Sequence, residues 1–146
     1  MSLRFLVCFL VLAIGLGAVR GAEPELWGAL VYGSKGGKKI SKELKEDAAD
    51  LKEVFGYERF ELLGQERRRV EGAEDRWLIP GRDFSLLLQA TEIKKAGYTL
   101  ALKLFQGKKL LVETEARVVE GSPLFIRGPL YRDGQLIIVL AVKRVE

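Results

Sequence analysis

The stretch YTLALKLFQGKKLLVETEARVV, Tyr98 to Val119, decides the fold. Leu100, Leu102 and Leu104 alternate before Gln106 and Gly107, and Leu110, Val112, Thr114, Ala116 and Val118 alternate after them. A period of two places each set on one face of a strand, and the Gln-Gly break between the sets marks a hairpin. The opposite faces carry Lys103, Glu113, Glu115 and Arg117. One apolar and one charged face is the pattern of an antiparallel sheet packed on one side and wet on the other.

Downstream, Gln135 to Val142 is apolar on both faces, with Leu136, Ile138, Leu140 and Val142 on one and Ile137, Val139 and Ala141 on the other. Such a segment reads as a central strand, with a helix on one side and sheet or loop on the other. Asp133 and Gly134 before it give a hairpin turn that needs positive φ. Pro123 and Pro129 bracket LFIRG, and a proline lacks the donor of a central strand, so this piece is an edge strand or an ordered loop. Gly121 and Gly128 mark bends beside it.

Upstream, residues 25–33 (ELWGALVYG) read as a first strand, with Trp27, Ala29 and Val31 on one side and Leu26, Leu30 and Tyr32 nearby. A flexible basic loop, SKGGKK, follows, and Ser41 is placed to cap a helix beginning at Lys42. Leu44, Ala48, Leu51 and Phe55 recur at helical spacing, Val54 widens the stripe, and Gly56 stands where the helix should end. Lys45, Glu46, Asp50, Lys52 and Glu53 form the polar face; it mixes both signs of charge, so the helix lies on a sheet and not on a membrane. Strand patterns resume at YERFELL (residues 57–63), the charged run GQERRRVEGAEDR being a strand continuation or an exposed loop. Further strands follow at RWLIPG and at Phe84, Leu86, Leu88 and Ala90. The expected class is α+β: one amphipathic helix packed on a mostly antiparallel sheet of about six or seven strands, or a β-sandwich with one helix.

Residues 1–22 read as a signal peptide: Arg4 gives a positive start, Phe5 to Val19 an apolar run, and Gly17, Ala18, Gly21 and Ala22 the small residues of a cleavage site. The run has 15 residues, short of the roughly 20 that span a bilayer. Cleavage after Gly21 or Ala22, the reading preferred to retention of the segment as an uncleaved anchor, leaves one domain over residues 23–146, periplasmic or secreted, with no membrane span. Loss of residues 1–21 removes Arg4 and Arg20 but no acid, so the formal net charge falls from +4 to +2. That balance does not suggest nucleic acid as a partner. The sole cysteine, Cys8, leaves with the signal, so no disulfide framework remains.

The chain contains no histidine, which excludes the His-based triads, the usual general base and histidine metal sites. With no mature cysteine, thiol catalysis and structural zinc go too, and neither a metal nor a cofactor is expected. Ser34, Ser41, Ser85 and Ser122 stand in no catalytic motif. The loop GSKGGKK has the outline of a phosphate cradle, but three residues separate Gly33 and Gly37 where four are needed, and Lys39 replaces the hydroxyl residue. Gly36, Gly37 and Lys38 remain a candidate anion-binding loop through backbone donors. Arg127, Tyr131 and Arg132 form a second candidate, a patch for an acidic group.

LKEVFGYERFELLGQ (residues 51–65), WLIPG (residues 77–81) and GPLYRDGQLIIVLAV (residues 128–142) together resemble small exported bacterial proteins of uncharacterised activity. The resemblance implies an envelope or secreted setting and transfers no catalytic residue. The expected function is therefore a non-enzymatic binding domain of the bacterial cell envelope, docking on another envelope protein through a sheet edge or face. Two alternatives stand beside it. A carrier of a small anionic or lipidic ligand requires a cavity beneath Leu44, Leu51 and Phe55. A hydrolase requires Glu113 and Glu115, or a serine such as Ser34 or Ser41 with a nearby lysine, to converge in a cleft.

Overall fold

The computed structural model describes residues 24–94 and 97–144; the expected signal peptide, residues 1–22, lies outside them. Among the described residues there are eight strands: β1 (Pro24–Ser34), β2 (Arg59–Arg68), β3 (Arg76–Gly81), β4 (Phe84–Lys94), β5 (Gly97–Gln106), β6 (Lys109–Val119), β7 (Leu124–Tyr131) and β8 (Gly134–Arg144). One helix, α1 (Ala48–Phe55), follows a 3-10 turn over Lys42–Asp47. The strands make two antiparallel four-stranded sheets, β2-β1-β8-β7 and β3-β4-β5-β6. The chain is thus mostly antiparallel sheet with one short helix, and its strands divide between two sheets.

Sheet neighbours are consecutive in the chain, and β8 returns to pair with β1 along the full length of both. This is the connectivity of an up-and-down barrel, flattened and opened at the β2/β3 and β6/β7 corners. At the first corner the backbones touch: a Cβ at Gly64 would overlap the Pro80 carbonyl oxygen, which is why that position has no side chain. At the second, Glu120 bridges to Val142 and carries the chain across to β8.

The period-two pattern sorts the core into two layers. Leu136, Ile138 and Leu140 of β8 and Leu26 and Leu30 of β1 face the second sheet, where Leu86, Leu88, Leu100, Leu102 and Leu104 meet them. Ile137, Val139 and Ala141 with Trp27, Ala29 and Val31 face outward beneath Leu44, Leu51 and Phe55. β8 is the two-faced central strand that its composition demands. The hairpin of residues 98–119 forms β5 and β6 with Leu102 opposite Thr114, and Lys103 lies opposite Glu113, their charged groups 3.4 Å apart.

Three local expectations need correction. Ser41 does not cap the helix through its side chain; its Oγ accepts the Leu62 N–H of β2 at 2.9 Å, and the chain winds first as a 3-10 turn. Val54 is 52% exposed and widens no buried stripe, whereas Gly56, in the left-handed region at φ 76°, ends the helix as expected. The β7–β8 turn is Arg132-Asp133, with positive φ (52°) on Arg132 and not on Asp133 or Gly134.

Candidate functional site at the turn end

Up-and-down connectivity gathers alternate connections at one end. β1 leaves and β2 enters there, and the β3–β4, β5–β6 and β7–β8 turns lie beside them. Contacts join these segments into one surface. The Gly107 N–H donates to the Asp83 carbonyl at 3.2 Å, tying two turns together. Tyr131 packs edge-to-face on Phe84 (centroids 4.9 Å apart) and on Tyr32 (5.5 Å). The Tyr32 hydroxyl donates to the Asp133 carboxylate, and Arg59 Nη1 donates to the Gly36 carbonyl at 3.1 Å.

The electrostatics follow from what these turns carry. Lys35, Lys38, Lys39, Lys108 and Lys109 are all exposed. Arg59, Arg82 and Arg132 bring the cations to eight, against four acids, Glu58, Glu61, Asp83 and Asp133. Arg82 pairs with Glu61, while none of the five lysines makes an ion pair among the described residues. The Tyr32 hydroxyl bond, aided by Arg59 and Arg132, holds the Asp133 carboxyl below the usual carboxylate range. Burial, then Asp133 itself, pushes the Tyr32 hydroxyl above its ordinary value.

Gly36, Gly37 and Lys38 lie on this surface, all exposed, with the Gly37 N–H turned back onto the Lys35 carbonyl at 3.0 Å. The other candidate patch is only partly assembled. Arg127 and Tyr131, four residues apart, would share a face of a regular strand. A bulge between Arg127 and Leu130 inserts one residue and reverses the parity. Arg127 therefore faces the helix, where it stands 4.8 Å over the Phe55 ring and donates to Gln135 Oε1 (2.8 Å) and the Val54 carbonyl (3.3 Å). Tyr131 turns inward onto Tyr32 and Phe84, and Arg132 alone projects, 5.1 Å over the Tyr131 ring.

Two side chains that sequence patterning missed complete the surface. Leu130 is 79% exposed beside Arg132, on the helix side of its sheet but beyond the helix end. Leu110 is 46% exposed next to Lys109. A leucine at a turn-flanking position adjoining a lysine or an Arg-Asp pair is a signal, but its alternation reads as core.

The remaining chemistry is dispersed. Glu113 pairs with Lys103 on the outer face of the second sheet, Ser34 is buried in the first, and Ser41 is committed to Leu62. Leu44 and Leu51 are fully buried in the layer between helix and sheet, packed with Trp27, Val31 and Phe60. A cleft of about 360 Å³ at the far end is lined by Glu46, Asp47, Ser122 and Lys143 among others. Burial there pushes the Asp47 carboxyl up against the opposing pull of Lys143, whose Nζ stands 4.5 Å over the Trp27 ring. Among the described residues no helix is long and apolar enough to cross a membrane. Compared with family models, curated proteins and solved structures, the chain matches none.

Proposed function

We propose that the chain is an exported, non-enzymatic binding domain of the bacterial cell envelope, and that it docks through the turn end. The observation that carries this reading is the group of five exposed lysines without acidic partners, drawn from two segments about seventy residues apart and set beside the exposed Leu110 and Leu130. Unpaired like charges crowded at one end repel one another and lower stability, so their placement is accounted for by an external counter-charge. Binding needs no cavity, which suits a molecule whose two apolar layers are filled by its own side chains.

The test is site-specific photo-crosslinking in the producing bacterium. A photoreactive residue replacing Leu130 is expected to give a reproducible adduct, and one replacing Ile93, exposed at the other end, to give none. Equal yields from both positions, or none from Leu130, would sink the reading. Mass spectrometry of the recovered chain is expected to show an N-terminus at Ala22 or Glu23.

A further inference from the structure

We infer that the counter-charge is an anionic phospholipid surface, on which the barrel stands with its turn end in the headgroup layer. The inference rests on the turn end being the binding surface and specifies its partner. Lysine is a compact point charge on a flexible stem, suited to phosphates that move laterally and offer no fixed geometry. Each such cation near an anionic bilayer raises affinity by about fivefold. Lys35 and Lys38 sit in the β1–β2 connection and Lys108 and Lys109 at the β5–β6 turn, while Lys39 runs beside β2 with its carbonyl accepting the Phe60 N–H at 3.0 Å. Charges spread over separate loops suit a plane of phosphates better than a single point.

The apolar residues agree with this assignment. Leu130 and Leu110 flank the β7–β8 and β5–β6 turns and sit next to cations, an arrangement that inserts a short apolar side chain while the charges stay among the headgroups. A protein partner is the weaker fit, because protein interfaces are depleted in lysine and anchored by aromatic residues. Here the turn-end aromatics Tyr32, Phe84 and Tyr131 are spent on one another.

The test is hydrogen–deuterium exchange of the full chain on vesicles of phosphatidylcholine alone and of phosphatidylcholine mixed with phosphatidylglycerol. Comparing the two separates headgroup docking from any insertion by the apolar N-terminal stretch. Exchange is expected to slow at residues 35–39, 107–110 and 130–133 on the mixed vesicles at low salt. High salt, or phosphatidylcholine alone, should abolish the slowing. Lys108→Glu/Lys109→Glu should weaken the effect by at least about tenfold, and Leu130→Ser by about threefold with the salt dependence kept. Unfolding transitions of these exposed variants should coincide with that of the parent chain. Identical exchange on the two vesicle types, or protection that survives the charge reversal, overturns the lipid assignment. If Leu130 still crosslinks to a protein in cells under that outcome, the binding reading stands and only its partner changes; if it does not, both fall.

Discussion

At the far end of the barrel Arg68 pairs with Asp75, Lys94 with Glu92, Arg144 with Glu120 and Lys143 with Glu46, whereas at the turn end Arg82 finds Glu61 and five lysines find no acid among the described residues. The same strands supply both ends, so the difference lies in the connections. The far end holds the denser set of ion pairs: Asp75 accepts from Arg68 at 2.7 and 3.3 Å and from the Glu71 N–H at 3.1 Å, closing its own loop. The turn end keeps its charge and adds exposed leucines. It also places arginine in the left-handed region in two turns, Arg82 at φ 56° and Arg132 at φ 52°, at about 1 kcal/mol each. A formal net charge of +2 over residues 22–146 conceals this polarity.

The largest effect is expected from breaking the turn end itself. A Cβ at Gly134 would overlap the Gly33 carbonyl oxygen, and β1 and β8 would have to part there. Gly134→Val should cost about 3 kcal/mol or more in urea unfolding and remove docking with it. Next, reversing Lys35, Lys38, Lys108 and Lys109 to glutamate should lower affinity for anionic vesicles by at least about 100-fold. Reversing Arg67 and Arg76 at the far end should change it less than about threefold; comparable losses would erase the distinction between the ends.

At the far end the expected loss is in stability alone. Asp75→Ala removes three accepted hydrogen bonds and should cost about 1 kcal/mol while leaving vesicle binding unchanged. The Arg68 hydrogen bond, then the Glu71 N–H, holds the folded Asp75 carboxyl below its ordinary value. Its contribution is therefore full above the unfolded carboxylate range and fades as acid titrates the folded form. Acid unfolding of Asp75→Asn should lack that component. The smallest effect has opposite signs in two assays: Arg132→Gly relieves the left-handed strain and should gain up to about 1 kcal/mol in stability, yet weaken docking about threefold.

Strand positions were largely legible, because alternation from Leu100 to Leu104 and from Val112 to Val118 and the two-faced run from Gln135 to Val142 follow burial. Leu110 departs from it because a bulge pairs it with Phe105 and takes it off that face. β7 was harder to read. Two prolines and two glycines in or beside it suggest a loop, yet Phe125 to Arg127 pair regularly with β8 and the irregularity is confined to one bulge. That bulge also explains why Arg127, Tyr131 and Arg132 made a patch in sequence and not in space: parity counting fails across an inserted residue. The lysine cluster was illegible for a different reason. Lys35 and Lys108 come to the same end of the molecule only once the up-and-down order places alternate turns there, and no local pattern encodes that order.

Lysine-selective footprinting in intact cells, set against the purified protein, tests most directly whether the turn end is the surface in use. Lys35, Lys38, Lys39, Lys108 and Lys109 should react more slowly in cells, with Lys103 on the open sheet face and Lys52 on the helix unchanged. Equal reactivity of the turn-end lysines in both settings would contradict the account.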